Sequence, residues 1–361
     1  MAIQRNAGKY KIDRIQTYNY KRIKMKKIWS VLIAISFLLV PLWSLAANES
    51  SGTITMEFDL SKHEINEEAQ LWIPYPLSDR DQLISKIKID GDYTESAIYS
   101  DQTYSTPMLY ARWEKGAKSR KLSLSFHVVR QEVKRRDFPE KEAAWDPADY
   151  ARYLAATSLG PVDGQVKILA DQITMGKTTV LDKAKAIYDW ICDNMYRDPA
   201  TKGCGPGNVC LLLEQPGGKC TDIHSVFVSL SRAAGIPARE VFGIRQGKKA
   251  EQDISGWQHC WAEFYLPGYD WVPVDPADVR KMMLKEKLEL SDARTKDYRE
   301  YFWGGWDQYR VKLAMGRDLQ LNPPQHGAAL NTLGYPYAQI GTRTLDWLDP
   351  KTFQYTFTFR Q

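Results

Sequence analysis

The chain has 361 residues, of which 43% are hydrophobic and 26% charged. This is globular composition with enough apolar material for one or two packed cores, and it shows no low-complexity tract and no internal repeat. The net charge of +5 arises at one end: residues 1–46 hold nine Lys/Arg and one acid, leaving 40 basic against 43 acidic residues in the rest. Net charge therefore gives no support to nucleic-acid binding.

The first predicted element is an export signal. Lys26 and Lys27 form a charged start, Ile28 to Val40 an apolar stretch, and Ser44-Leu45-Ala46 offers small residues before a cleavage point at Ala47. The apolar run is short for a membrane span and is followed by Pro41, with an uncleaved anchor as the alternative. On this reading residues 25–46 are a signal peptide beginning at Met25, and residues 1–24 are an extension foreign to the natural protein. Export to an oxidising compartment gives weight to the five cysteines, Cys192, Cys204, Cys210, Cys220 and Cys260. An odd count leaves one thiol over, and the short Gly/Pro-rich loop between Cys204 and Cys210 favours those two as a pair.

Residues 51–135 read as strands. Ile54, Met56, Phe58 and Leu60 alternate with polar neighbours, as do Leu122, Leu124, Phe126 and Val128, which predicts a small antiparallel sandwich. The charged run Glu132–Asp137 with Phe138-Pro139 reads as a linker. Helical spacing then takes over. Pro161 opens one helix that Gly176 stops, and Thr179 with Asp182 forms a capping box for a second. A third helix is predicted to start near Cys220, with Ile223, Val226, Phe227, Leu230 and Ala234 on one face. Gly235 and Pro237 end it. Strands follow around 239–244, 259–266 and 271–275, then a surface helix over 280–301 and a strand-like tail at Tyr355, Phe357 and Phe359. Helices first and strands second make an α+β arrangement over residues 150–280, with 281–361 as an extension packing on that core.

Three residues in this stretch suit thiol catalysis, which needs a thiolate, a base and a group that fixes the base's tautomer. Cys220 follows Gly217-Gly218-Lys219 at a helix start, where partial positive charge and free N–H groups favour thiolate and where its own N–H can serve an oxyanion. Asp222 opposes that effect. His259, Trp261 and Glu263 share one strand face and Cys260, Ala262 and Phe264 the other, apolar one, so His259 points away from the core. The turn residues Leu266–Asp270 allow a hairpin that sets His259 directly opposite Asp275, with Trp261 opposite Pro273. A slip of one residue breaks that contact.

The segments Gly218–Asp222, Leu230–Arg239, His259–Glu263 and Trp271–Pro276 closely resemble the bacterial transglutaminase-like domain. The resemblance implies a papain-like core of helices packed on an antiparallel sheet, preceded by the sandwich-like region. It places Cys220, His259 and Asp275 on the family's Cys, His and Asp in order and spacing. Cys260 departs from the small residue usual after the histidine and is expected to be buried and silent. His224, one turn after Cys220, reads as a supporting or structural residue. Gln215 and Tyr196 are the candidates for an oxyanion donor, and Arg239 reads as half of an ion pair.

The implied chemistry is acyl transfer from the amide of a peptide or protein through a Cys220 thioester, resolved by water or by an amine. A peptidase or amidase is favoured over cross-linking. The alternative is a non-catalytic peptide- or glycan-binding envelope protein that retains the fold. No cofactor is expected. A zinc site of Cys204, Cys210, Cys220 and His224 fits no paired metal-ligand spacing. No phosphate-binding or dinucleotide-binding glycine motif and no basic-aromatic patch for nucleic acid is present. Membrane attachment is expected only through an uncleaved signal.

Overall fold

The computed structural model describes residues 48–361. The signal segment 25–46, the extension 1–24 and the start at Met25 lie outside the described residues. Among the described residues no helix is long and apolar enough to cross a membrane.

Six long strands come first: β1 (Glu49–Asp59), β2 (Ala69–Pro74), β3 (Gln82–Gly91), β4 (Glu95–Ser100), β5 (Pro107–Trp113) and β6 (Lys121–Gln131). The two-residue β7 (Val133–Lys134) leads to α1 (Ala151–Leu154), α2 (Gly164–Ile173), α3 (Val180–Asn194), β8 (Tyr196–Arg197), α4 (Val209–Glu214), β9 (Gly217–Gly218) and α5 (Cys220–Ala233). Then come β10 (Ala238–Arg245), β11 (Glu251–Asp253), β12 (Gln258–Leu266), β13 (Asp270–Val274), α6 (Pro276–Glu286) and α7 (Ala293–Tyr301). The chain closes with β14 (Gly305–Trp306), β15 (Arg310–Met315), β16 (Tyr337–Ile340), β17 (Arg343–Thr344) and β18 (Gln354–Arg360).

The alternating residues of β1 and β6 turn Ile54, Met56, Phe58, Leu122, Leu124 and Phe126 into one core. That core lies between two five-stranded sheets, β11-β18-β1-β6-β3 and β17-β16-β2-β5-β4. The sandwich is therefore closed by residues far along the chain. β18 lies against β1 with Met56 opposite Phe357, and β16 lies against β2. The tail beyond residue 280 also supplies β15 to the four-stranded sheet β13-β12-β10-β15. The described residues form one compact unit.

Helix α5 is the axis of the second core. Thr179 caps α3 as its sequence predicts, its hydroxyl accepting the Asp182 N–H at 3.0 Å, and Gly235 takes φ +79° just after α5. The amphipathic reading of α5 needs revision, because all 14 of its residues are buried. Its polar side is covered and largely bonded, with Ser231 Oγ and one Arg232 nitrogen left without a partner among the described residues: Ser225 donates to the Thr221 carbonyl at 2.6 Å and accepts from Arg317 at 2.7 Å. Arg232 donates to the carbonyls of Ala238 and Ala155.

Two further expectations change. The helix expected over 280–301 is two helices, α6 and α7. The first starts earlier because Pro276 sits in its first turn with Asp275 as N-cap, and it stops at Lys287, which is left-handed at φ 56°. On β12, His259 does point away from the core that holds Cys260, Ala262 and Phe264 and meets the Asp275 carboxylate, but its face of the sheet is packed as well. Trp261 on that face is fully buried with Val133, Val241 and Trp306, because the sheet carries packing on both sides.

Candidate active site

The start of α5 is built by glycines and one carboxylate. Gly217 and Gly218 pair in parallel with Tyr196 and Arg197. A Cβ on Gly218 would fall 2.5 Å from the Asp222 side chain, and one on Gly205, at φ +91°, would fall 1.9 Å from it. The space lets Asp222 reach back and accept the N–H of Lys219 at 3.0 Å and of Gly207 at 2.8 Å. This is one half of a capping box, since the Lys219 side chain has no acceptor to complete it. Thr221 donates its N–H to the Cys204 carbonyl at 2.9 Å. Cys220 is the first residue of the helix, and its N–H has no partner within the helix.

Cys220 is 4% exposed and borders a cavity of about 670 Å³. Its thiol is held well below the ordinary thiol range. The neighbouring Cys204 thiol lowers it most, followed by the Cys260 thiol; burial opposes them, and His259 lowers it further. Asp222 moves the other way, pushed up by burial against the pull of its two N–H donors, with Cys220 adding to the rise.

His259 lies on β12 opposite Gly243 of β10 and borders the same cavity. Its Nε2 is 2.8 Å from Oδ2 of Asp275. The hairpin that delivers the carboxylate has a different register from the one expected. Glu263 faces Pro273 and Ala262 faces Val274, so Asp275 is displaced two residues from a position opposite His259. A shift of two preserves the face, and the diagonal neighbour is still within reach of an imidazole. Asp275 can span the gap because β13 has ended and its residue is the N-cap of α6, where Oδ1 accepts the Asp278 N–H at 2.7 Å.

Asp275 also holds His224, whose Nε2 is 3.1 Å from Oδ1. The other nitrogen of His224 lies 3.6 Å from the Cys260 sulfur, which is 3.4 Å from the Thr221 hydroxyl. Cys260 is 1% exposed, and burial raises its thiol. Arg310 of β15 bonds both Asp275 and Asp278, with its second nitrogen 2.7 Å from Asp278, and also reaches Asp307 at 3.2 Å. Arg245 pairs with Asp278 and with Asp307. Burial pushes the Asp275 carboxyl up, but Arg310, His259 and His224 outweigh it and hold the group well below the usual carboxylate range.

One atom each of His259, Asp275 and Asp278 lie within 4.8 Å of one another, a donor set that suits a divalent cation. The guanidinium of Arg310 already bonds both carboxylates and supplies the compensating charge, so the cluster does not fit a metal ion.

Gln215 is exposed at the end of α4, and Tyr196 packs over Gly217; neither borders the cavity at Cys220. Gln258 does, and its side-chain nitrogen is buried with no hydrogen-bond partner among the described residues. All five cysteines are free. Cys204 does not pair with Cys210. It lies beside the cavity with Cys220 and accepts the Tyr335 hydroxyl at 3.2 Å, whereas Cys210 is exposed on α4. Arg239 pairs with Glu263 and stacks 3.9 Å over Trp271. Arg310, Asp278 and Gln258 have no sequence signal that separates them from other polar residues on strands and helix starts.

A thiol, an imidazole and a buried carboxylate on this helix-and-sheet core define a class, and comparison with other proteins names it. Residues 167–276 match the transglutaminase-like superfamily. An uncharacterized protein of Haemophilus influenzae is 38% identical over 323 residues, covering 81% of this chain and 86% of its own length. YebA of Bacillus subtilis, also uncharacterized, is 30% identical over 126 residues, which is 31% of this chain and 17% of YebA. A crystal structure from Cytophaga hutchinsonii, provisionally assigned as a cysteine protease, aligns with 87% of this chain and 99% of its own at a TM-score of 0.52 and 18% identity, a likeness of fold. The chain belongs to the transglutaminase-like superfamily.

Proposed function

We propose that this protein is a thiol enzyme of acyl transfer, with Cys220 as nucleophile, His259 as its base and Asp275 as the group that orients the base. The observation that carries this reading is the 2.8 Å contact of His259 Nε2 with a buried carboxylate beside the cavity that Cys220 borders. With Nε2 engaged there, Nδ1 is the nitrogen left to serve the thiol.

The Cys220 thiolate attacks the carbonyl carbon of an amide. The developing oxyanion is met by the Cys220 N–H and the free Gln258 carboxamide N–H. As the C–N bond breaks, protonated His259 gives its proton to the departing amine, leaving a thioester on Cys220. Neutral His259 then takes a proton from water, whose oxygen displaces the thiolate and releases the acid. An amine in place of water gives a new amide. A cavity of about 670 Å³ has ample room for water beside the thioester, which favours hydrolysis, and so peptidase or amidase activity. The apolar stretch Ile28–Val40 supports action outside the cytoplasm.

The test compares wild type with Cys220→Ala on a pool of envelope peptides, scoring cleavage, deamidation and amine incorporation together by mass spectrometry. Products that vanish with the thiol are expected. Identical profiles from the two proteins refute the enzymatic reading and leave a peptide-binding protein.

A further inference from the structure

We propose that the Cys220 cavity selects acidic peptides, in which the acyl donor carries a carboxylate close to the amide that reacts. This names the substrate class of the proposed enzyme and rests on that reading for the reaction, though not for the binding.

The cavity is bordered by Arg197, Lys219, Arg245 and Lys281 and by no Asp or Glu. Arg245 is taken up by Asp278 and Asp307. Arg197, Lys219 and Lys281 are half-buried and make no ion pair among the described residues. They come from three separate elements. Arg197 of β8 lies opposite Gly218, and Lys219 follows directly, so two cations flank the strand that enters Cys220. Lys281 is three residues after Asp278 on α6, one helical turn further along the same face.

Surface cations are ordinary when solvated, but these share one hollow. Partial burial weakens their hydration and they repel one another. Burial lowers Lys281 most; Asp278 pulls it back up, while Arg245 and Arg197 push it further down. Asp278 Oδ2 is already bonded by Arg245 and Arg310, and Lys281 makes no ion pair with that carboxylate. An incoming carboxylate relieves both the repulsion and the lost hydration, and a glutamine or lysine in its place relieves neither. The cavity is also bordered by aromatic side chains, with Trp257, Tyr335 and Trp347 half-buried. Such faces suit the flat amides and short side chains of an extended peptide.

The experiment uses full-length Cys220→Ala, which cannot turn substrate over. Calorimetry measures its affinity for blocked tetrapeptides of alanine with glutamate, glutamine or lysine. Glutamate peptides should bind about tenfold tighter than glutamine peptides, since a charge-assisted contact is worth about that ratio. The preference should shrink in about 0.5 M salt. Lys281→Gln and Arg197→Gln, placed on separate elements, should each reduce the glutamate-to-glutamine ratio. Equal affinities, or no binding by any peptide, overturn the proposal. Iodoacetamide kinetics on wild type separate the two readings. Fast modification of Cys220 with equal peptide affinities rejects acidic selection alone. Slow modification with a glutamate preference rejects the enzyme and keeps the recognition.

Discussion

Asp275 is the point where two histidines and an arginine converge, and its chemistry sets two predictions. Replacing Arg310 with Met leaves Asp275 and Asp278 as buried carboxylates short of a partner, which costs about 3–5 kcal/mol of stability at neutral pH by urea denaturation. The pH dependence follows from the lowered Asp275 carboxyl. Its contribution to stability is fully present above the unfolded value near 3.9 and is lost as pH falls toward the lower folded value. Asp275→Asn should therefore flatten the acid limb of a stability-against-pH curve and leave the wild type steeper below about pH 4. His224 offers a further check, since it shares Asp275 without bordering the cavity. If it is a positioning residue, His224→Asn shifts the pH profile of Cys220 alkylation and leaves peptide affinity in place, whereas a purely structural role moves the melting temperature alone.

At the scale of elements, the start of α5 carries the most specific backbone demand. Gly218→Ala forces its new methyl against Asp222, so it should destabilise by about 1–3 kcal/mol and slow Cys220 alkylation together, measured on the same preparation. Much of this region could be read from the chain. The helix starting at Cys220, its stop at Gly235 and Pro237, the strand bearing His259 and the strand leading to Asp275 follow from local spacing and turn residues. The hairpin register differs by two from the expected one, because the turn is centred on Gly268, with Gly268 and Asp270 at positive φ, and not on Pro267. The site is unaffected, since a two-residue shift keeps the face. Arg310 was illegible for a different reason. It reaches the site only because β15 pairs with β10, a contact across 65 residues between Arg245 and Arg310 that no local pattern encodes.

At the scale of the molecule, the chain returns on itself. The alternation of β1 and β6 announces a sandwich, but its missing strands come from the last residues, where only Tyr355, Phe357 and Phe359 hint at one. Long-range strand partners leave no mark in either sequence alone. Phe357 is 1% exposed and packs edge-on to Phe58, so Phe357→Ala should cost about 3–5 kcal/mol despite lying far from Cys220. Because β15 and β18 tie the tail to both cores, that loss should appear as one unfolding transition shared by near- and far-ultraviolet circular dichroism.

The most direct test of the account is the rate of Cys220 alkylation by iodoacetamide as a function of pH, read by peptide mapping in wild type and in His259→Ala. Wild type should hold its plateau well below the ordinary thiol value of about 8.5, and the variant should lose part of that advantage. An inflection near 8.5 in wild type, unchanged by removing His259, would contradict the claim that Cys220 is an activated nucleophile.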